Sequence, residues 1–140
     1  MSVESGTVRV PSSILERMIE HARSILPEEC CGVLGGEGTL VSSIYPLTNT
    51  LHSPTRYLAD PRELFDAVRS MRDKGEEMIG IYHSHPGASL EPSSRDREEN
   101  GYPGLFYFIV SVRAEDPRIR CFVMSEEGVF TPVRIAREEL

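Results

Sequence analysis

The sequence predicts a three-layer α/β (α+β) domain, a sandwich in which one mixed β-sheet is flanked by helices. Three observations carry this. A helical stripe comes early, a second helix with strong start signals sits mid-chain, and the second half holds short apolar runs separated by turn residues. Helices set among strands in this mixed order fit one sheet with helices packed on it. At 140 residues the chain is expected to form one domain, residues 1–140, long enough to bury a real core. Hydrophobic residues make up 39% and charged residues 26%, a balance that argues against disorder beyond the ends.

The elements come in order along the chain. Thr7 to Val10 reads as a short strand ended by Pro11. Ser13 with Glu16 three positions later has the form of a capping box. Behind it Ile14, Leu15, Met18, Ile19, Ala22, Ile25 and Leu26 recur at helical spacing, and Pro27 stops the helix near Leu26. Cys31 to Leu34 is a short apolar run closed by glycines, and Thr39 to Leu47 is its expected hairpin partner across GGEG. The segment TNTLHSPTRYLAD is irregular, with a short strand allowed at Arg56 to Ala59. Asp60, Pro61 and Glu63 then supply an N-cap, a proline at the first helical position and a carboxylate in the first turn. Leu64, Phe65, Val68 and Met71 are the expected buried stripe, and Gly75 is the stop. Met78 to Ser84 is the next strand. Pro92, Ser93 and Ser94 open a short third helix cut off by Gly101 and Pro103, and strands come next at Leu105 to Val112, Ile119 to Ser125 and Val129 to Ile135.

The net charge of −7 argues against a nucleic-acid partner, which would call for a basic face, and leaves room for a protein partner with a basic patch. No apolar run approaches the ~20 residues needed to span a bilayer. The start, MSVESGTVRV, lacks the basic and apolar segments of a secretory leader. Cysteines number three, and Cys30 and Cys31 are adjacent, so no disulfide framework is expected and a reducing cytoplasm fits best.

The run GIYHSHPGASLEPSSRD carries the chemistry. Side chains at i and i+2 of a strand share a face, so His83 and His85 point the same way with Cα atoms about 6.5–7 Å apart. Two imidazoles so placed can converge on one ion, and Asp96 can return through the loop 86–95 as an oxygen ligand. Three protein ligands leave the fourth position of a tetrahedral zinc open to water, which is the pattern of a catalytic site. On its own, His-x-His also suits solvated or hydrogen-bonded histidines, and Ser93-x-x-Asp96 is also a capping-box pattern that needs no metal. The two readings are compatible, since Ser93 can cap while Asp96 turns towards the histidines.

The run His83-Ser84-His85-Pro86, six residues, Ser93, two residues, Asp96 resembles the H-x-H-P-x6-S-x-x-D motif of the JAMM (MPN+) zinc metalloproteases. The segment Pro27-Glu28-Glu29-Cys30-Cys31-Gly32 resembles the family's upstream glutamate site, with Glu29 as that glutamate. Ser53-Pro54, Arg56-Tyr57 and Asp60-Pro61 are similar to small bacterial members. The resemblance covers about Val8 to Val133 and implies a cytidine-deaminase-like JAMM/MPN fold. It implies that His83, His85 and Asp96 bind one catalytic Zn2+. It also implies that Glu29 takes a proton from the zinc water and delivers one to the leaving amine, and that Ser93 stabilises the oxyanion. The implied substrates are peptide or isopeptide bonds after the C-terminal Gly-Gly of a ubiquitin-like or sulfur-carrier protein. A homo-oligomer is compatible with all of this.

Several residues invite other readings. Glu28 is a second candidate base, but alternation in an extended segment sends it to the opposite face from Glu29. Cys30 and Cys31 suggest a Cys-His protease, yet Cys31 opens an apolar run where free cysteine acts as a small buried hydrophobe. His21 and His52 are expected to be solvated. Tyr102, Phe106, Tyr107 and Phe108 are expected to be core and strand residues rather than a stacking platform. The H-x-E with P-C-x-x-C signature of zinc deaminases is absent. Two other classes remain in view. One is a metal-free binding or scaffold module of the same fold, against which all five motif positions are present. The other is a structural zinc site, which would need a fourth protein ligand.

Overall fold

The structure, a computed structural model, describes residues 6–99, 103–115 and 118–139. The elements run β1 (Thr7–Pro11), α1 (Ser12–Ser24), β2 (Cys31–Glu37), β3 (Leu40–Leu47), α2 (Pro61–Asp73), β4 (Glu77–Ser84), α3 (Ser94–Glu99), β5 (Phe106–Val110), β6 (Ile119–Met124) and β7 (Phe130–Glu138). The strands are ordered in space as β1-β3-β2-β4-β5-β6-β7, and β7 returns to β1 to close a barrel. Closure rests on five parallel pairs, from Thr7 with Arg134 to Pro11 with Glu138.

This corrects the expected three-layer sandwich. A sandwich needs an open sheet between helical layers, whereas here the two ends of the chain pair and the sheet curls. Ile14, Leu15, Met18 and Ala22 of α1 share one core cluster with side chains from every strand, β1 to β7. On the other face of the central strands α2 contributes Ala67 and Met71 to a second cluster with Val33, Leu47, Ile81, Tyr107, Ile109 and Phe122. The alternation of strand side chains divides the clusters: Phe106, Phe108 and Val110 belong to the first, Tyr107 and Ile109 to the second.

Smaller expectations change for local reasons. In α2 the stripe is narrower than the spacing suggests, because only Ala67 and Met71 are fully buried, with Leu64 packed partly exposed against the same cluster. Leu64 and Val68 are half-buried, and Phe65 is 61% exposed with the Arg69 guanidinium over its ring. Helix α1 begins at Ser12 with no side chain capping it, so Ser13 makes no capping box; Ser12 Oγ instead donates to Glu139 at 2.7 Å. It ends at Ser24 rather than near Leu26. Arg56 to Ala59 forms no strand, only one bridge between Ala59 and Asn49. Gly101, the expected stop of the third helix, and Tyr102 lie outside the described residues. His21 is not merely solvated. Its Nδ1 lies 2.8 Å from the Tyr82 hydroxyl, and burial pulls its pKa down. His52 is exposed but paired with Glu28 at 3.2 Å. Among the described residues no helix is long and apolar enough to cross a membrane.

The α2 start is built as the sequence indicates. Asp60 Oδ1 accepts from the amides of Arg62 (2.9 Å) and Glu63 (3.2 Å), with Pro61 at the first turn. Glu63 reaches across to the Thr48 amide at 2.7 Å and hydroxyl at 2.9 Å, which ties the helix to the end of β3.

The pairing of β2 with β4 positions the histidine-bearing end of β4. It is antiparallel and sets Cys31 opposite His83 and Gly32 opposite Tyr82. Tyr82 is fully buried and lies over Gly32, where a Cβ would come within 2.3 Å of its ring. Substituting Gly32→Ala should therefore overpack this pair and cost ~1–3 kcal/mol, read as a lower urea midpoint with an unchanged slope. Asp60→Ala should cost ~1 kcal/mol through the lost cap, measured in the same way.

Candidate metal centre

His83 ends up on the β4 face that carries Ile81, one residue before the strand ends. His85 lies just beyond the strand, but its amide still donates to Val110 O at 2.9 Å, so the pleat continues and both rings fall on one face. Asp96 comes from the first turn of α3. Its backbone amide donates to Ser93 Oγ at 3.0 Å, and its Oδ2 accepts from the Ser93 amide at 2.8 Å. Ser93 and Asp96 thus form a reciprocal capping box, and the same carboxylate turns to the histidines. Ser93 itself is exposed, and its hydroxyl accepts from Asp96 while keeping its own proton to donate.

Three donor groups converge. His83 Nε2 and His85 Nε2 are 3.1 Å apart. Asp96 Oδ1 lies 3.1 Å from His83 Nε2, and Oδ2 lies 3.0 Å from His85 Nε2. Two ligand atoms each ~2.0–2.1 Å from a tetrahedral ion would be about 3.3–3.4 Å apart, so the triangle fits a small divalent cation within a few tenths of an ångström. Among the described residues the cluster has these three members. Such a set leaves room for an exogenous ligand and does not make the closed shell of a structural zinc site.

The electrostatics suit a cation. Burial alone would raise the Asp96 pKa, but hydrogen bonds from both histidines, their charge and the Ser93 amide hold it well below the usual carboxylate range. Burial pulls His83 down. Burial also pulls on His85, but hydrogen bonding to Asp96, the Asp96 charge, the Ser89 carbonyl and the Glu29 charge together carry it upward. An ionised carboxylate beside a neutral imidazole is the ligand-competent form. The His85 Nδ1–H donates to Ser89 O at 3.1 Å, so once the proton that Nε2 shares with Asp96 is displaced by a cation, Nε2 would present its lone pair to the cluster.

Glu29 sits in the connection between α1 and β2. The reciprocal bonds Cys30 N to Ser84 Oγ (2.7 Å) and Ser84 N to Cys30 O (3.1 Å) extend the β2–β4 register by one step. One further step sets Glu29 opposite His85. The Glu29 side chain is buried, and its charge acts on His85, Tyr57 and Tyr107. Glu28 points elsewhere, to His52. Cys30 and Cys31 are buried, and burial pushes both thiols up to about 12, so neither offers a thiolate.

Two neighbours have no role at this site in the sequence reading, although Arg56-Tyr57 is part of the segment similar to small bacterial members. Tyr57 stacks on the His83 ring, with centroids 4.9 Å apart and planes at 25°. Tyr107 packs against the same ring at 5.3 Å, in addition to its expected core role. Sequence spacing does not point to Tyr57, because an irregular loop delivers it. Beside this cluster a cavity of about 490 Å3 runs between β2, β4, α2 and the loop 48–60, and Cys31, Leu47, Tyr57, Leu64 and Ile81 are among its walls.

The chain is similar to known proteins over most of its length. A family described as prokaryotic homologs of the JAB domain matches residues 11–125. A CysO-cysteine peptidase of Mycobacterium tuberculosis is 37% identical over 118 residues, 81% of each chain. A desampylase of Haloferax volcanii is 36% identical over 102 residues, 71% of this chain and 73% of that protein. A solution structure from Desulfitobacterium hafniense superposes with a TM-score of 0.84 at 36% identity, over 95% of this chain and 94% of that one. With the family match spanning most of the closed sheet and the whole histidine cluster, the chain belongs to the prokaryotic homologues of the JAB domain, the compact JAMM/MPN type whose motif its residues 83–96 resemble.

Proposed function

We propose that this chain is a zinc-dependent metallopeptidase that hydrolyses the bond joining the C-terminal Gly-Gly of a ubiquitin-like or sulfur-carrier protein to an amine. The observation that carries the reading is the cluster of His83 Nε2, His85 Nε2 and the Asp96 carboxylate, with separations of 3.0–3.1 Å and the Glu29 charge acting on His85. The relatives named as a peptidase of a CysO-cysteine adduct and as a desampylase support the substrate class.

His83, His85 and Asp96 would hold the ion. Zinc bound there supplies Lewis acidity, polarising the scissile carbonyl and lowering the pKa of the attacking water towards ~7. Glu29 takes the proton of the attacking water as the new C–O bond forms. It returns a proton to the amine nitrogen as the C–N bond breaks, so the base is regenerated and no acyl-enzyme is needed. Ser93 directs its spare hydroxyl proton at the developing oxyanion. The cavity beside His83 accepts the carrier's tail. Two terminal glycines pass where side chains would not, since they carry no Cβ and tolerate unusual backbone angles.

Glu29→Gln should keep stoichiometric zinc by elemental analysis while kcat falls ~10²–10⁴-fold on a carrier–amine conjugate. His83→Ala should lose the zinc itself. Chelation should abolish cleavage and added Zn2+ restore it. Zinc-loaded protein that cleaves no Gly-Gly-linked conjugate would overturn the substrate assignment. Full activity in Glu29→Gln would overturn the role of the base.

A further inference from the structure

The two histidines are held by different means. The His85 Nδ1–H is fixed by Ser89 O, the usual device by which a metal-binding imidazole is oriented through its second nitrogen. His83 Nδ1 is fully buried and has no hydrogen-bond partner among the described residues. The polar contacts of His83 are therefore all at Nε2, inside the cluster itself, and none holds the ring from its Nδ1 side. Aromatic rings hold it instead. Tyr57 covers one side nearly parallel, at 4.9 Å and 25°, and Tyr107 packs against it tilted, at 5.3 Å and 51°. Tyr107 is anchored in β5, but Tyr57 belongs to the irregular loop 48–60 and also lines the cavity. The phenols of Tyr57 and Tyr107 also interact with each other, but the contact with His83 is made by the face of the Tyr57 ring.

We infer that Tyr57 is a positioning residue for the metal centre: its ring, not its hydroxyl, holds the His83 imidazole in the orientation that aims Nε2 at the ion, and so sets zinc affinity. The inference rests on the reading of His83 as a ligand. Outer-shell contacts of metal-bound histidines typically tune metal affinity 10–100-fold, and a stacked ring serves here where a hydrogen bond serves for His85. Because the same ring faces the cavity, metal retention and occupancy of the cavity share one side chain.

The test is zinc affinity, measured by competition with a chromogenic chelator on wild type, Tyr57→Phe, Tyr57→Leu and Leu58→Ala, with folding checked by circular dichroism. Tyr57→Met replaces the leucine variant if that one does not fold. Removal of the ring should raise the zinc Kd on the order of 10–100-fold. Tyr57→Phe and Leu58→Ala, which keep the ring, should stay within about threefold of wild type, below that range. The visible spectrum of the Co2+-substituted protein should change in the leucine variant and not in the phenylalanine one. A folded Tyr57→Leu that binds zinc as tightly as wild type overturns the inference and leaves the metal centre standing. Equal loss in Tyr57→Phe also overturns it, since the hydroxyl would then be responsible. Wild-type protein that takes up no zinc overturns both.

Discussion

The antiparallel register between the start of β2 and the end of β4 is the constraint on which the site depends. Cys31 faces His83, and the paired bonds between Cys30 and Ser84 carry the register on to Glu29 and His85. Strand side chains alternate, so a slip of one residue would send Glu29 to the opposite face and bring Glu28 to the histidines. The Ser84 hydroxyl makes such a slip costly, because it satisfies the Cys30 amide where the ladder ends. The packing above and below works in the same direction. Gly32 admits the Tyr82 ring on one face, while Val33 and Ile81 seat α2 on the other.

The cluster this register assembles is unfavourable as a piece of protein core. Two imidazoles, the Asp96 carboxylate and the Glu29 carboxylate lie together at a largely buried position. Burying charge costs several kcal/mol per ion unless it is compensated, and hydrophobic residues of similar volume would serve stability as well or better. The compensation inside the chain is partial. Asp96 gains the Ser93 amide and both histidines, yet His83 keeps an unpartnered Nδ1 among the described residues. A divalent cation would stabilise both carboxylates in their charged form and keep the imidazoles neutral. The proposed chemistry thus accounts for a cluster that packing and hydrogen bonding leave only half satisfied.

Much of this is legible in the sequence because it is local. The strand and helix order comes from periodicity and punctuation, and the α2 cap from three adjacent residues. The convergence of His83 and His85 comes from the two-residue repeat of a strand. The capping box and the turn of Asp96 towards the histidines, two compatible readings of Ser93-x-x-Asp96, share one carboxylate: Oδ2 takes the Ser93 amide and faces His85, while Oδ1 faces His83. The hidden part is long-range. Nothing near Thr7 or Arg134 announces that they pair, so the sequence points to an open layered sheet where a closed one forms. The apolar spacing in α2 does not reveal that the helix meets the sheet along Leu64, Ala67 and Met71, leaving Phe65 outside. His21 reads as polar-face surface until Tyr82 arrives beneath it from sixty-one residues away. Tyr57 is carried by a loop with no period at all.

That loop is nevertheless rigidly specified, and by one amide. Asn49 is buried and uses all four of its hydrogen-bonding positions. Its Nδ2 donates to Glu29 O and Arg56 O, each at 3.0 Å, and its Oδ1 accepts from the amides of Leu51 and Leu58, each at 3.1 Å. The Glu29 amide in turn donates to Ser53 O at 2.9 Å. The backbone that carries Glu29 and the turn that carries Tyr57 are therefore closed by the same side chain. A strand pair holds the histidines, and a loop holds Glu29 and the ring stacked on His83. These two supports meet at the wall of the cavity, where Cys31 comes from the first and Tyr57 from the second. An extended tail lying in that cavity would contact both supports at once.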